Sequence, residues 1–119
     1  MEINPALDRD GGVLEYCRLK GITIQAWSPL QYGVFEGTFI DNEELFASFN
    51  EKLKEYADKK GVQKTAIAFA WILRHPAKIQ AIAGTTNPGR LKELCKGADV
   101  ELTREEWYEL YRAAGNNLP

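Results

Sequence analysis

Residues 21–30 read GITIQAWSPL. Ile22, Ile24 and Ala26 alternate with Thr23 and Gln25 behind Gly21, and Trp27-Ser28-Pro29 closes the run. A period of two predicts a strand whose C-terminal end opens into a loop. Working back from it, Val13, Leu14, Cys17 and Leu19 stand near helical spacing, and Gly21 sits where a helix C-cap belongs. The opening EINPA is a third, short strand candidate.

Forward of the loop, Asp41 and Glu44 stand in capping-box register before ELFASFNEKLKEYADKKG, with Leu45, Phe49, Leu53 and Tyr56 on one face and Gly61 as the stop. TAIAFAWILRH is apolar almost all round, which predicts a helix buried on several sides, and Pro76 breaks it. Ile79 to Ala83 then alternates as a strand before Gly84-Thr85-Thr86. Asn87-Pro88-Gly89 opens a helix through Arg90 to Lys96, and Thr103 with Glu106 forms a capping box before EEWYELYRAAG. Strands separated by helices imply parallel neighbours joined by right-handed crossovers, an α/β fold. About three parallel strands cannot close a barrel, and parallel sheets normally have both faces covered. The chain therefore reads as one unit, residues 1–119, that belongs to something larger.

Composition excludes several classes. The 119 residues are 45% hydrophobic, so a disordered chain is ruled out, and 15 basic against 17 acidic residues leave no footprint for nucleic acid or an anionic membrane. No stretch approaches the roughly 18–20 apolar residues of a membrane span, and MEINPALDRD is too acidic for a signal peptide. Cys17 and Cys95 match no metal spacing and read as reduced thiols, which predicts a cytoplasmic protein.

Taken alone, the residues leave the site open. Trp27 is an aromatic at a strand end, fit either for the core or for stacking on a ligand, and Ser28-Pro29-Leu30 is either a turn or a phosphate-facing loop. Gly84-Thr85-Thr86 offers two hydroxyls and a close backbone approach. The helix behind it presents an N-terminus whose free N–H groups suit phosphate, with Arg90 as a planar cationic donor. A structural turn is the other reading. Tyr16, Tyr56, Tyr108 and Tyr111 fall on helices and read as packing or rim residues; Tyr32 follows the SPL turn and could face a site, but with no lysine or carboxylate placed to lower its pKa it reads as a loop aromatic. His75 reads as a cationic partner for a helix C-terminus, Glu43-Glu44 and Glu105-Glu106 as first-turn carboxylates, and Lys52, Lys54, Lys59 and Lys60 as a solvated face.

Together, Asn4-Pro5, GITIQAWSPL, TAIAFAWILRHPAKIQAIAGTTNPGRLKE and ELTREEWYELYRAA resemble the C-terminal portion of an aldo-keto reductase, in its bacterial oxidoreductase branch. The resemblance implies a partial, half TIM (β/α)8 barrel: strands six to eight with their helices, the first half of the barrel being absent. It implies an NADPH-dependent oxidoreductase that reduces aldehydes or ketones. The family's catalytic Tyr, Lys, Asp and His lie on earlier strands, so no catalytic residue and no metal ligand is carried over, and the isolated chain is expected to be inactive. What is carried over is a cofactor site. Trp27 matches the aromatic that stacks on nicotinamide, Ser28, Pro29 and Leu30 the pyrophosphate loop, Gly84, Thr85, Thr86 and Arg90 the holders of the adenosine 2′-phosphate, and Glu93 an adenine-side contact. Gly84 and Leu94 stand where many members carry lysine and asparagine. The expected partners are the nicotinamide cofactor, a small carbonyl substrate in a complete barrel, and either a missing N-terminal half or a second copy. A stand-alone nucleotide-binding module and a non-catalytic, self-associating half-barrel are the other two readings.

Overall fold

The two alternating segments do meet. In the computed structural model, which describes residues 12–33 and 36–117, β1 (Gln25–Ala26) lies parallel to β4 (Gln80–Ala81), with Gln25 opposite Gln80 and Ala26 opposite Ala81. The Gln25 amide also donates to Gln80 Oε1 at 3.1 Å across the pair. Each ladder is two residues long, shorter than the alternation over 22–26 and 79–83. Neither strand has a second neighbour among the described residues to extend it. The strand expected at EINPA lies outside those residues.

Helix α1 (Val13–Lys20) precedes β1 and ends at Gly21 in the left-handed conformation (φ 68°), as the C-cap reading requires. None of its residues is buried: Val13, Tyr16 and Leu19 face outward, Leu19 at 81% exposure. The segment after β1, read from sequence as loop, contains an antiparallel hairpin of β2 (Gln31–Gly33) and β3 (Gly37–Thr38).

The start of the next helix is corrected. Helix α2 runs Ala47–Lys60 from Phe46, with no side-chain cap, so Asp41 and Glu44 do not form the expected capping box. Asp41 instead turns left-handed (φ 61°) and pairs with Lys64, while Asn42 Oδ1 accepts from the Leu45 N–H at 3.1 Å. Leu45 thus precedes the helix and is exposed, and Glu43-Glu44 lie outside any first turn. Phe49, Leu53 and Tyr56 do share the buried face. Helix α3 (Lys64–Arg74) buries Ala66 to Ala70 and Ile72, as its all-round apolar pattern predicts, leaving Leu73 exposed. Phe39, Phe49, Leu53, Ile67 and Leu110 form the centre of the core.

His75 caps α3 differently from its expected role. Its Nδ1 accepts the Ala77 N–H at 3.0 Å, and burial, then the charge of Arg18, pushes its pKa down. A neutral acceptor ring cannot act as the cation at a helix C-terminus. The α3 end is tied down instead by tryptophans. Trp107 Nε1 donates to the Trp71 carbonyl (2.9 Å), Trp71 Nε1 donates to the Trp107 carbonyl (3.0 Å), and the two indoles stack at 4.4 Å.

Helix α4 (Pro88–Cys95), a 3-10 turn (Lys96–Asp99) and α5 (Arg104–Ala113) complete the chain. The Thr103–Glu106 capping box forms as expected: Glu106 N–H donates to Thr103 Oγ1 (3.1 Å) and Thr103 N–H to Glu106 Oε1 (3.0 Å). Lys60 is not purely a solvated lysine, because its half-buried ammonium donates to Glu106 Oε1 at 3.2 Å. Lys54 pairs on the surface with Asp58, and Lys52 with Glu55.

Burial alone would raise the Glu106 pKa, but the Thr103 N–H and Lys60 outweigh it and hold the carboxyl below its ordinary 4.5. A lowered folded pKa means stabilisation that is complete above pH 4.5 and lost as pH falls through the folded value. We therefore expect Glu106→Gln to cost about 1–2 kcal/mol at pH 7. Below pH 4.5 the gap to wild type should close, as followed by urea denaturation across pH. A gap constant with pH would contradict this assignment.

Candidate cofactor site

The register sets what stands at the end of the sheet. Ile82 N–H donates to the Ala26 carbonyl at 3.0 Å, so Trp27 leaves β1 at the level where Ile82 leaves β4. Two residues of extended chain carry Gly84 about 7 Å further. The C-terminal ends of two adjacent parallel strands thus deliver Trp27-Ser28 and Gly84-Thr85 to one edge of the fold. That edge is where a βα barrel builds its ligand site.

On the β1 side Trp27 is 69% exposed, outside the core that the described residues form. Ser28 adopts a left-handed conformation (φ 47°), and the Gln31 N–H donates to its carbonyl at 3.0 Å, closing a tight turn over Pro29-Leu30. Pro29 is buried, and Leu30 packs on the core. The loop is therefore anchored beneath while Trp27 stands clear.

On the β4 side the chain enters through Lys78, also left-handed (φ 55°), whose N–H donates to the His75 carbonyl at 3.0 Å. Gly84 is exposed, and a Cβ there would meet nothing within 4 Å, so packing within this chain does not require the glycine. Thr85 is half-buried and its Oγ1 accepts the Asn87 N–H at 3.2 Å, while Thr86 and Arg90 are exposed.

The helix N-terminus needs a correction. Asn87 Oδ1 accepts from both Gly89 N–H (2.9 Å) and Arg90 N–H (3.2 Å). These two N–H groups are not free for a phosphate, because the Asn87 cap already satisfies them. The Thr86 hydroxyl and the Arg90 guanidinium are the exposed donors left beside that cap. Glu93 is half-buried and is engaged by Lys96 Nζ at 2.6 Å, so any role at an adenine edge competes with that ion pair.

Four tyrosines fall on helices as the pattern implied, though Tyr16 and Tyr108 are exposed, and Tyr32 lies on a strand rather than in a loop. Tyr16 lies on α1, Tyr56 on α2, Tyr108 and Tyr111 on α5, and Tyr32 on β2, with its ring edge-on to Phe46 at 5.0 Å. Burial first, and the hydrogen bond to Glu109 second, push the Tyr56 hydroxyl above its ordinary pKa, which makes it a poor proton donor.

A dinucleotide fits what this edge offers: an exposed aromatic face, a backbone approach without side-chain obstruction at Gly84, and hydroxyl and guanidinium donors beside it. The aldo/keto reductase family matches residues 1–114. A 6-dehydroglucose reductase of Agrobacterium fabrum is 36% identical over 104 residues, spanning 87% of this chain and 33% of that protein. Another, from Novosphingobium aromaticivorans, is 32% identical over 111 residues, spanning 92% of this chain and 36% of that protein. In structure, a thermostable aldo-keto reductase crystallised with the inhibitor epalrestat superposes with a TM-score of 0.74 at 27% identity, over 93% of this chain and 36% of that one. The aldose reductase of Giardia lamblia shares the fold, with a TM-score of 0.63 at 22% identity over 86% of this chain. The chain thus spans about a third of the length of the relatives it matches, as a partial TIM barrel does. This chain belongs to the aldo/keto reductase family.

Proposed function

We propose that the chain is the cofactor-holding, C-terminal part of an NADPH-dependent oxidoreductase that reduces aldehydes or ketones. The observation that carries this reading is the parallel β1–β4 pair, which brings Trp27-Ser28 and Gly84-Thr85 to one edge. In it Trp27 stacks on the nicotinamide, and Ser28, Pro29 and Leu30 form the pyrophosphate loop. Gly84, Thr85, Thr86 and Arg90 face the adenosine 2′-phosphate, and Glu93 the adenine side. When bound, NADPH supplies the hydride. The Tyr, Lys, Asp and His that handle the carbonyl and its proton belong to the other part of the barrel. Two relatives named as dehydroglucose reductases support a carbonyl substrate. We place the protein in the cytoplasm, where its free thiols Cys17 and Cys95 fit.

Titration with NADPH should quench tryptophan fluorescence saturably, and Trp27→Phe should remove most of that quench. The stacked Trp71–Trp107 pair lies on helices away from the strand ends and should respond little. No saturable response in the wild-type chain would count against the reading.

One further observation favours assembly alongside cofactor binding. Helix α1 buries none of its residues, and β1 and β4 each have one unpaired edge among the described residues. More barrel strands, in the same polypeptide or a second copy, would cover both. Association with a second copy predicts a melting temperature that rises with protein concentration.

A further inference from the structure

Asn50 is 1% exposed on α2, among Phe49 and Leu53, and its amide points away from its own helix into the preceding segment. Nδ2 donates to the Phe39 carbonyl (2.7 Å), to the Phe46 carbonyl (3.0 Å) and to the Asn42 carbonyl (3.3 Å). Oδ1 accepts the Asp41 N–H (2.8 Å) and the Lys64 ammonium (3.4 Å). An amide has two N–H donors, so one is shared between carbonyls, and both ends of the group are fully used. A polar group buried this deeply is tolerated only when satisfied, and here the satisfaction is mostly non-local.

What Asn50 holds leads directly to the candidate loop. Phe39 is fully buried, and its N–H donates to the Leu30 carbonyl at 3.1 Å. Leu30 ends the tight turn in which Gln31 N–H reaches the Ser28 carbonyl, with Ser28 left-handed. Asp41 is left-handed as well, a conformation that persists in a non-glycine residue only when its surroundings impose it. Its N–H goes to Asn50, and its carboxylate pairs with Lys64, which also touches Asn50.

We propose that Asn50 is a positioning residue for the cofactor loop: its side-chain amide fixes residues 39–42, which fix Leu30 and through it the Ser28 turn beneath Trp27. The proposal rests on the cofactor reading of that loop. Asn50 touches no proposed ligand group itself and acts by keeping the loop in one arrangement before binding. Apparent affinity falls in proportion to the fraction of molecules in the competent arrangement.

The test compares Asn50→Asp with Leu53→Ala, which removes core packing one turn away without removing any hydrogen bond to residues 39–42. Asn50→Asp keeps the size and the acceptor but loses the donors to three carbonyls. Two readouts apply, each at a temperature where the variants are equally folded. Amide hydrogen exchange at Gln31 and Phe39 should accelerate about tenfold in Asn50→Asp and not in Leu53→Ala. The NADPH dissociation constant should rise about tenfold in Asn50→Asp and stay within about twofold in Leu53→Ala. If Asn50→Asp does not fold, Asn50→Ser carries the test, with about threefold weaker NADPH binding expected and faster exchange at Asp41, whose N–H loses its acceptor. Unchanged exchange at Gln31, or equal changes in the Asn50 and Leu53 variants, would overturn the positioning role. For Asn50→Ser, unchanged exchange at Asp41 would do so. Failure of the wild-type chain to bind NADPH would strike the cofactor reading instead, and exchange would still decide whether Asn50 orders the loop.

Discussion

Gly97→Ala should lower the melting temperature by about 10–20 °C, the largest effect of an alanine at any of the described glycines. Gly97 is buried in the 3-10 turn, where a Cβ would lie 2.7 Å from the Ala66 carbonyl oxygen, 3.0 Å from Phe69 Cβ and 3.3 Å from the Ala70 nitrogen. Two of those three atoms are α3 backbone, which cannot retreat without breaking the helix. The turn must move instead, and α4 with it. Overpacking of this kind costs about 3 kcal/mol, against a gain of at most about 1 kcal/mol from replacing glycine by alanine in helical backbone. The clash wins. Gly84→Ala is the matched control, since its Cβ would meet open space, and its melt should stay close to wild type. Far-UV circular dichroism melts of both variants decide the matter. A Gly97→Ala melt matching wild type would mean that the 3-10 turn does not pack on α3 at Ala66 and Ala70.

Arg90→Ala should weaken NADPH binding about ten- to hundredfold and leave NADH binding nearly unchanged. The guanidinium is exposed in the first turn of α4, and among the described residues it makes no ion pair. With the Gly89 and Arg90 N–H groups occupied by Asn87, it is the strongest anion donor at this end of the helix. A charge-assisted, two-pronged contact to a 2′-phosphate has no counterpart in NADH. Raising the ionic strength should shrink the difference, because the site is open to solvent. Equal losses for the two cofactors would place Arg90 elsewhere than at the 2′-phosphate, and calorimetric titration with both distinguishes the cases.

The parts legible in the sequence are those set by neighbours along the chain. Gly21 ends α1, Thr103 and Glu106 cap α5, and the alternation in 22–26 and 79–83 marks two strands that pair in parallel. Each is a local pattern with a local cause. Trp27 and Arg90 could be singled out because they flank those strand ends, and family resemblance added roles that composition and spacing left open.

The parts that were not legible depend on contacts across the fold. Asp41 and Glu44 carry a capping-box spacing, yet Asn50 and Lys64 draw Asp41 into a left-handed turn, and the helix starts at Ala47. The hairpin at 31–38 is built from short strands without a strong alternating pattern, so nothing in Gln31-Tyr32-Gly33 announced it. His75 looked like a cation at a helix end until burial and Arg18 made the neutral ring the favoured form. Lys60 is one of four lysines of similar spacing, and only the fold shows that it alone donates a hydrogen bond to Glu106. The Asn87 cap illustrates both sides: its position was readable, but its occupation of two N–H groups needed geometry.

The measurement that bears most directly on the central claim is an amide NMR titration of the isotopically labelled chain with NADPH. The account predicts saturable shifts at Trp27, Ser28, Gly84, Thr85, Thr86 and Arg90, including the Trp27 indole N–H, while α5 resonances hold still. Shifts confined to another surface, such as the groove between Arg74, Gly97 and Leu102, or no shifts at all, would contradict a cofactor site at the shared ends of β1 and β4.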